Sequence, residues 1–391
     1  MSTTQFDVLV LGVGGMGAAA LDHLASRGVS VVGVEQGDVP NDRGSSVGET
    51  RVIRKAYFED PRYVPLLERA YVLWGELEAH VGEQLLVRTG CLNLGLPDHP
   101  AIRGVRESVA LHALPHVLLS AAEVRARFPA LQPAAGEVGV FEDDGGYLRV
   151  EACTRAHARR AVDQGATLLT RTRVVELAIG ATGVRASLDN GTSITANRVV
   201  ISAGPWLASA PALRQIADTL PLEIERQVQL YFAPHAPELV TAPALPAFIH
   251  FDADRAFYGV PLHGDAGHEP ALKVCRHHGG EKTTADALDR TVHDSDVEPV
   301  RAFMRAHLPT GDGALLRSRV CMYTNTPDQH FIIGALPERP HVVLLGGFSG
   351  HGYKLASVIG EIAADLATTG KSAFDLGLFS PERFADDAST R

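Results

Sequence analysis

A glycine motif near the N terminus constrains the fold of this chain more than any other segment. The apolar residues 6–11 predict a short strand, and the sequence Gly12-Val13-Gly14-Gly15-Met16-Gly17 follows it immediately. The spacing G-x-G-x-x-G at a strand-to-helix turn is typical of dinucleotide binding, because the glycines permit a tight turn and let the backbone approach a pyrophosphate. A helix is predicted over residues 16–27, and its first N–H groups can bind phosphate. The cofactor contacts predicted here are Gly12, Gly14, Gly15, Met16 and Gly17.

A carboxylate follows the second predicted strand at the distance that this motif uses for ribose recognition. Val31–Val34 predicts the strand, and Glu35 ends it about twenty residues after the glycines. The carboxylate of Glu35 can accept hydrogen bonds from a ribose hydroxyl and disfavours a 2′-phosphate, so NADP is not expected. The motif alone does not distinguish NAD from FAD.

Length and composition restrict the class of protein. A chain of 391 residues predicts two domains, and 45% hydrophobic with 21% charged residues predicts a soluble globular protein. The formal charge of −10 provides no basic surface for nucleic acid. No apolar run reaches the roughly 18 residues of a membrane helix and no apolar leader follows Met1, so we predict a cytoplasmic protein. The four cysteines form no C-x-x-C pair, so neither a disulfide framework nor structural zinc is expected.

Apolar periodicity predicts α/β segments in three separate parts of the chain. The predicted helices are residues 61–80, 151–164 and 355–370. The predicted strands are residues 166–169, 174–177, 198–206 and 342–346, with a hairpin at 184–196 closed by Asn190-Gly191. The last strand runs into a glycine loop before the final helix, which predicts a second cradle for a phosphate or a ring.

Segments of a different character interrupt these α/β parts. Residues 84–145 and 215–320 read as short strand-like pieces separated by Gly, Pro and His. We therefore predict an α/β (α+β) protein of two domains. A discontinuous Rossmann-like cofactor domain comprises residues 1–83, 146–214 and 321–391, and an inserted antiparallel-sheet substrate domain comprises residues 84–145 and 215–320. This layout favours FAD over NAD, because the longer cofactor needs several glycine-rich contacts.

Three further motifs resemble those of one enzyme family, and the resemblance spans nearly the whole chain. They are residues 44–54 (GSSVGETRVIR), residues 321–333 (CMYTNTPDQHFII) and residues 347–354 (GFSGHGYK). They resemble the monomeric sarcosine oxidase family, which includes N-methyltryptophan oxidase and the fructosyl amino acid oxidases. These are flavin-dependent amine oxidases of the wider D-amino acid oxidase fold. The resemblance therefore implies FAD as cofactor and an amino acid as substrate.

The resemblance implies a covalent flavin and a set of cofactor contacts. Cys321 resembles the cysteine that bonds through sulfur to the 8α carbon of FAD, and a thiolate is the nucleophile that such a bond requires. The other implied contacts are Ser45, Thr50, Arg51, Val174, Ala203, Gly204, Trp206, Met322, Gly347, Phe348, Gly350, Gly352 and Lys354.

The same resemblance implies the residues that bind and oxidise the substrate. Arg54 and Lys354 resemble the pair that holds the substrate carboxylate, and a bidentate guanidinium with a second cation selects amino acids over plain amines. Lys273 resembles the lysine over the flavin that promotes reaction with oxygen, because a fixed cation stabilises developing superoxide. The other implied residues are Arg51 beside the flavin, His277 or its neighbour His278, the pocket tyrosines Tyr258 and Tyr323, and Ile249.

Two adjacent positions depart from the family pattern. Ser46 and Val47 stand where the sarcosine and N-methyltryptophan oxidases carry two histidines, and Val47 gives the substrate pocket an apolar wall. An insertion at residues 263–270 adds to the difference. The substrate is therefore not expected to be restricted to sarcosine, and bulkier secondary or cyclic amino acids fit the change.

These inferences predict an FAD-dependent oxidase of a secondary amino acid. The C–N bond is oxidised to an imine that water hydrolyses, and oxygen is reduced to hydrogen peroxide. The alternatives are a flavin dehydrogenase or oxidase of a cyclic imino acid or a glycated amino acid, a non-catalytic flavin-binding protein, and an NAD dehydrogenase. We expect a monomer whose partners are its small-molecule substrate and oxygen, with no metal.

Overall fold

The computed structural model describes residues 3–264 and 267–384, which fold into three β-sheets and the helices packed on them. The first strands are β1 (Thr3–Leu11), β2 (Val31–Val34), β3 (Thr50–Ile53), β4 (Leu86–Arg88), β5 (Cys91–Gly95), β6 (Val117–Ser120), β7 (Val138–Glu142), β8 (Gly146–Arg149), β9 (Thr167–Leu169) and β10 (Val174–Ile179). The later strands are β11 (Val184–Leu188), β12 (Ser193–Ile201), β13 (Glu223–Phe232), β14 (Ala247–Asp252), β15 (Arg255–His263), β16 (Ala271–His277), β17 (Lys282–Thr283), β18 (Leu315–Asn325), β19 (Ile332–Leu336) and β20 (Arg339–Gly346).

The helices pack on these sheets, and none among the described residues is long and apolar enough to cross a membrane. They are α1 (Gly15–Ala25), α2 (Val64–Val81), α3 (Pro100–His112), α4 (Ala121–Arg127), α5 (Val150–Asp163), α6 (Arg214–Ala217), α7 (Pro237–Val240), α8 (Asp294–His307) and α9 (Ala356–Thr369). Residues 265 and 266 of the predicted insertion lie outside the described residues.

A parallel sheet with the strand order β9-β2-β1-β12-β20 forms the first core. The hairpin of β10 and β11 extends one half of β12, and β19 pairs antiparallel with β20. Helix α1 is buried along its whole length, where it packs against α5 and α9. Residues from the N-terminal, middle and C-terminal thirds therefore build one Rossmann-like layer, which agrees with the predicted fold class.

The glycine motif allows β1 and α1 to approach each other closely. A Cβ atom on Gly17 would lie 1.9 Å from the carbonyl oxygen of Gly12, and one on Gly12 would lie 2.4 Å from that of Ser202. Both distances are far below van der Waals contact, so larger residues would push the helix off the sheet. Gly12 and Gly17 of the motif are therefore required for the packing of α1 against the sheet.

A second, largely antiparallel sheet has the order β17-β13-β16-β15-β14-β5-β7-β6, with β18 paired to the other edge of β13. Its core lies under α8, where the rings of Phe257 and Phe303 stack at 4.3 Å. Strand β18 places Cys321 opposite Gln227 of β13. This sheet therefore continues past residue 320, where the sequence placed a domain boundary, and the boundaries themselves stay a prediction.

A small third sheet of β3, β8 and β4 carries the motif of residues 44–54. Strand β3 pairs antiparallel with β8 through Thr50–Ile53 and leads directly into Arg54. Of the predicted residues in this motif, Thr50 and Arg51 therefore lie in the sheet, whereas Ser45 and Val47 precede it and Arg54 follows it.

The predicted elements differ from the observed ones mainly in the inserted segments. Helices α3, α4 and α8 were not predicted, because their regions were read as strand-like pieces. Helix α8 contains Pro299, and a proline usually argues against predicting a helix from a sequence. A capping box of His293 and Asp296 nevertheless starts this helix. The strand predicted at 198–206 ends at Ile201, since residues 204–208 turn away as a 3-10 helix with Pro205 at its start. The other predicted helices begin and end within a few residues of α1, α2, α5 and α9.

Candidate active site

A cavity of about 390 Å³ opens at the carboxyl ends of β1, β2 and β12. Dinucleotides bind at this edge of a parallel sheet, because the connections that leave neighbouring strands there run to opposite faces of the sheet and open a crevice. Its lining includes these predicted cofactor residues: Gly12, Gly14, Gly15, Met16, Glu35, Ser45, Arg51, Val174, Ala203, Gly204, Trp206, Met322, Gly347, Phe348, Gly350 and Gly352. Four other predicted cofactor residues do not line it, namely Gly17, Thr50, Cys321 and Lys354.

The chemistry of the lining fits a dinucleotide. The cap residue of helix α1, Gly14, makes no side-chain hydrogen bond, and of the first N–H groups that of Gly15 donates to Ser46 Oγ at 3.2 Å, which leaves those of Met16 and Gly17 for phosphate. Glu35 is held beside them, since its carboxylate accepts the Val13 N–H at 2.9 Å and the Gly37 N–H at 3.0 Å. Oε1 also accepts the Asn41 side-chain amide at 3.5 Å, whereas Oε2 keeps a lone pair for a ribose hydroxyl. The glycine loop at residues 346–352 forms the opposite wall.

Several lining residues were not predicted from the sequence. Tyr353 reaches the cavity and is fixed by a 2.6 Å hydrogen bond from its hydroxyl to the Val150 carbonyl. Asp286, which lies in the loop between β17 and α8, lines the cavity and accepts a hydrogen bond from the Trp206 indole N–H at 3.0 Å. Tyr353 lies inside the 347–354 motif and was available to sequence reasoning. Asp286 carried no local signal, because only the tertiary fold brings it to Trp206.

The Cys321 thiol is buried behind the lining rather than in it. Its residue is 1% exposed, and the next residue, Met322, lines the cavity. The side-chain amide of Gln229 donates hydrogen bonds to Cys321 Sγ at 3.2 Å and to the Val47 carbonyl at 3.1 Å. All four cysteines are free thiols. The thiol therefore lies near the cavity residue Arg51, on which it acts electrostatically, and has a hydrogen-bond donor beside it.

Arg54 and Lys354, which are distant in sequence, lie together in a buried cluster. Arg54 is 2% exposed, donates to Glu59 Oε2 at 3.1 Å, and stacks on the ring of Tyr57 at 4.7 Å. Lys354 Nζ donates to the His351 carbonyl at 2.6 Å and to the Tyr57 hydroxyl at 3.4 Å. Burial, followed by the charge of Arg54, lowers the pKa of Lys354 to about 7.

The cluster has a free hydrogen-bond donor and a net positive charge with which it can bind an anion. Arg54 Nε is buried and makes no hydrogen bond, and Glu59 Oε1 is also without a hydrogen-bond donor. Two cations and one carboxylate leave the cluster with a formal excess of positive charge when Lys354 is protonated. A carboxylate ligand would satisfy the free guanidinium donor and balance that charge.

Lys273 and Arg51 flank the backbone of residues 48–50. The fully buried Lys273 ammonium donates to the Gly48 carbonyl at 2.8 Å and to the Thr50 carbonyl at 2.9 Å. Arg51 donates to the carbonyls of Thr50 at 2.9 Å and Ser45 at 2.8 Å and also lines the cavity. Burial, then the charge of Arg51, lowers the pKa of Lys273 to about 8. Lys273 itself does not line the cavity.

His277 joins the two predicted pocket tyrosines. Its Nδ1 shares a 3.1 Å hydrogen bond with the Tyr323 hydroxyl, and its ring meets that of Tyr258 edge-on with centroids 6.4 Å apart. Burial and the charges of His278 and more distant cations hold the pKa of His277 well below its usual range, so the ring is neutral. The neighbouring His278 points elsewhere and pairs with Glu225 at 3.0 Å.

The remaining predicted substrate residues are apolar and buried. Val47 is 4% exposed and Ile249 is 8% exposed, and neither lines the cavity. Ile249 lies opposite Tyr258 in the β14–β15 pair and packs with Phe58, whose ring also stacks on Arg54 at 4.6 Å. An apolar cluster thus adjoins the Arg54 group.

One group of potential metal ligands lies outside this site. Among the described residues, Glu137, His250 and His307 place one ligand atom each within 4.8 Å of one another. Glu137 and His250 share a 2.8 Å hydrogen bond, and the three residues surround the end of α8. None of them lines the cavity.

Comparison with known proteins defines the family. The FAD dependent oxidoreductase family matches residues 7–366. A monomeric sarcosine oxidase of Streptomyces avermitilis is 40% identical over 98% of this chain and 99% of its own. An N-methyl-L-tryptophan oxidase of Yersinia pestis is 33% identical over 97% of this chain and all of its own. The solved structure of NikD, an unusual amino acid oxidase essential for nikkomycin biosynthesis, superposes with a TM-score of 0.83 at 23% identity, covering 97% of this chain and 98% of that one.

The chain therefore belongs to the FAD dependent oxidoreductase family, within the group of monomeric sarcosine and N-methyltryptophan oxidases. The resemblance predicted from the motifs is confirmed, as is the choice of FAD over NAD. The protein is an FAD-dependent oxidoreductase of the amine-oxidising kind. The likeness to NikD supports the fold alone.

Proposed function

We propose that this protein oxidises the C–N bond of a secondary amino acid, either N-methylated or cyclic, with oxygen as the electron acceptor. The observation that carries the proposal is the buried Arg54–Lys354 pair with its unpartnered guanidinium Nε. The names of the relatives, sarcosine oxidase and N-methyltryptophan oxidase, support a substrate of this class.

The Arg54 group binds the substrate carboxylate. Arg54 presents its free donors in a planar fork and Lys354 adds a point charge, so the carboxylate is fixed in one orientation. Glu59 neutralises part of this charge while the site is empty of substrate. An acidic substrate group therefore binds here by completing the charge balance of a buried site.

The same charges favour a neutral substrate amine. Arg54, Lys354 and Arg51 are all cations of the site, and a nearby like charge disfavours protonation of an amine. The lowered pKa of His277 makes it a poor proton acceptor, so we expect the amine to release its proton to solvent on binding. FAD, when bound, supplies the acceptor for two electrons from the substrate carbon and passes them to oxygen. We propose that the Lys273 ammonium, fixed by its bonds to the carbonyls of Gly48 and Thr50, stabilises the negative charge that develops on oxygen.

Cys321 is proposed as the site of covalent attachment to FAD. The Gln229 amide stabilises negative charge on its sulfur, and the adjacent Met322 lines the cavity. A thioether would keep the cofactor from dissociating. Acid precipitation of Cys321→Ala should release flavin into the supernatant, while wild type and the control Cys275→Ala should keep a yellow pellet. A colourless wild-type pellet would refute covalent attachment.

The substrate is best identified by peroxide production in air. Purified holoenzyme is screened against N-methyl and cyclic amino acids, with the matching amines that lack a carboxylate as controls. We expect turnover of the acids, and a loss of about 100-fold in kcat/KM for Arg54→Met, which removes a charged hydrogen-bonded pair. Equal turnover of acids and plain amines would contradict the role of Arg54. Flavin reduction without peroxide would indicate a dehydrogenase instead.

Three further assignments accompany this proposal. The two-domain boundaries, the monomeric state and the cytoplasmic location are consistent with it and remain predictions. The name of the Streptomyces relative supports a monomer.

A further inference from the structure

The backbone that holds Lys273 has an unusual conformation. The Thr50 N–H bonds to the Gly48 carbonyl at 2.6 Å, which closes a three-residue turn with Glu49 at its centre. Glu49 has a φ of +62°, in the left-handed region, and such a turn is rare and strained for a residue with a side chain. This turn makes the carbonyls of Gly48 and Thr50 converge on one ammonium group.

The buried side chain of Glu49 is fixed in a group that we call the Glu49 clamp, which comprises Glu49, the buried His263, the partly buried Arg317 and the exposed His268. Arg317 binds the Glu49 carboxylate in a bidentate manner, with Nε and Nη2 each 2.9 Å from a carboxylate oxygen. His263 and His268 lie 3.3 and 3.1 Å from the same carboxylate. Glu49 is 5% exposed.

The clamp holds the strained turn together with Glu151, whose Oε1 accepts the N–H groups of Gly48 at 2.8 Å and Glu49 at 3.2 Å. Burial raises the pKa of Glu49, but His263 and Arg317 outweigh it and lower the pKa to about 2, so the carboxylate is charged at neutral pH. A left-handed non-glycine residue costs about 1–2 kcal/mol and persists only where its surroundings hold it. Arg317 is itself held by stacking on Tyr231 at 4.7 Å, and the Tyr231 hydroxyl donates to the Gly48 carbonyl at 2.8 Å.

The turn that the clamp holds contacts Lys273 and, through the Thr50 carbonyl, Arg51, but the clamp itself touches neither the cavity nor the Arg54 group. Neither Glu49 nor Arg317 lines the cavity, and neither belongs to the Arg54 group. The charged and thiol groups around Lys273 are Arg51, Cys275, Cys321 and Glu151. The connection from Glu49 to the lysine therefore runs through the two carbonyls that flank Glu49.

We propose that Glu49 and Arg317 are positioning residues that hold the Lys273 ammonium in place for the reaction of the reduced cofactor with oxygen. This inference rests on the proposed oxidase function. A cation stabilises a developing anion only from a fixed place, because a mobile one must reorganise during the reaction. The strained turn and its clamp supply that fixed place, and loss of either partner lets the carbonyls diverge.

The test uses FAD-loaded Glu49→Gln and Arg317→Met, with Arg69→Met as the matched control. Arg69 makes a similar bidentate pair with Glu361, between α2 and α9 and away from Lys273. Stopped-flow measurements should show reoxidation by oxygen about 10–100-fold slower in both clamp variants, since a small misplacement of a catalytic group has effects of this size. Reduction by substrate in the absence of air should stay within about twofold of wild type.

The sign of the Glu49→Gln effect separates positioning from simple electrostatics. At a pH well below 8, where Lys273 stays protonated, a Glu49 that acted only as a negative charge would oppose the developing anion, and its removal would speed reoxidation. Slower reoxidation in Glu49→Gln therefore supports positioning, and faster or unchanged reoxidation overturns it. A milder defect in Arg317→Lys, which keeps the charge but not the bidentate geometry, is also expected.

Two further measurements keep the outcome interpretable. Crystal structures of the two FAD-loaded variants should show Lys273 Nζ displaced from the carbonyls of Gly48 and Thr50, and an unmoved lysine would overturn the inference. Lys273→Met is measured in parallel. If it leaves reoxidation unchanged, the oxidase role of Lys273 itself fails; if it slows reoxidation but the clamp variants do not, only the positioning inference fails.

Discussion

Individual side chains in this site depend on burial for their chemistry. Lys354 shows the effect most directly, because burial and the charge of Arg54 bring its pKa to about 7 from a usual value of 10.5. The ammonium is present below that pH and is lost above it. Lys273, with a pKa of about 8, follows the same rule. The residues that the motifs single out thus change charge near neutral pH only because of their surroundings.

Binding of a carboxylate should therefore depend on pH through Lys354. Affinity for a non-oxidisable carboxylate analogue should fall as pH rises through about 7, by up to tenfold, because the charged partner is lost. Lys354→Arg should remove this dependence, since arginine stays protonated. Titration of flavin absorbance with the analogue at several pH values measures both. A wild-type affinity that is constant over this range would exclude Lys354 as the titrating group.

Elements meet in this fold through a few close contacts. Helix α1 approaches β1 at Gly17, where a Cβ atom would lie 1.9 Å from the Gly12 carbonyl oxygen. Helix α2, by contrast, carries the exposed Gly75, and a Cβ atom there would meet nothing within 4 Å. Close packing therefore requires a glycine at position 17, whereas no contact requires one at position 75.

Substitution by alanine should separate these two cases. Gly17→Ala should lower the free energy of unfolding by about 1–3 kcal/mol, because the helix must move off the sheet, and it should also weaken FAD binding. Gly75→Ala should raise the free energy of unfolding by up to about 1 kcal/mol, because alanine loses less entropy in a helix. Guanidinium denaturation of the apoproteins measures both. A stable Gly17→Ala with normal FAD binding would contradict the packing role.

The molecule as a whole buries histidines that are neutral when folded. Burial lowers the pKa values of His23 and His351 to about 4, although the charge of Glu59 opposes it at His351. In the unfolded chain they titrate near pH 6.5. Between pH 6.5 and 4 the unfolded state therefore binds more protons than the folded state, and stability is lost as the pH falls.

These two histidines should make the folded protein less stable in acid. The free energy of unfolding should fall by about 1.4 kcal/mol per pH unit for each such histidine across this window. His23→Leu should flatten the slope, since the unpartnered buried Nε2 of His23 has no interaction to lose. Chemical denaturation between pH 4 and 7 gives the slopes. An unchanged slope in His23→Leu would show that His23 does not titrate in this way.

Local sequence was sufficient where a signal is carried by neighbouring residues. The glycine motif, Glu35, the helices α1, α5 and α9 and the β11–β12 hairpin were all predictable, because periodicity and turn chemistry act over a few residues. The motifs at residues 44–54 and 347–354 were also sufficient to indicate the family. Helix α8 was missed because Pro299 hides its pattern.

Only the tertiary structure decided which charges meet. Arg54, Glu59 and Lys354 form one buried group although about 300 residues separate its ends, and Glu49 finds Arg317 across a similar distance. The left-handed turn at Glu49 and the lowered pKa of each buried lysine also have no local signal. Sequence determined the cofactor fold because its motif is local, whereas the charge state and placement of the reactive side chains depend on burial, which only the packed chain creates.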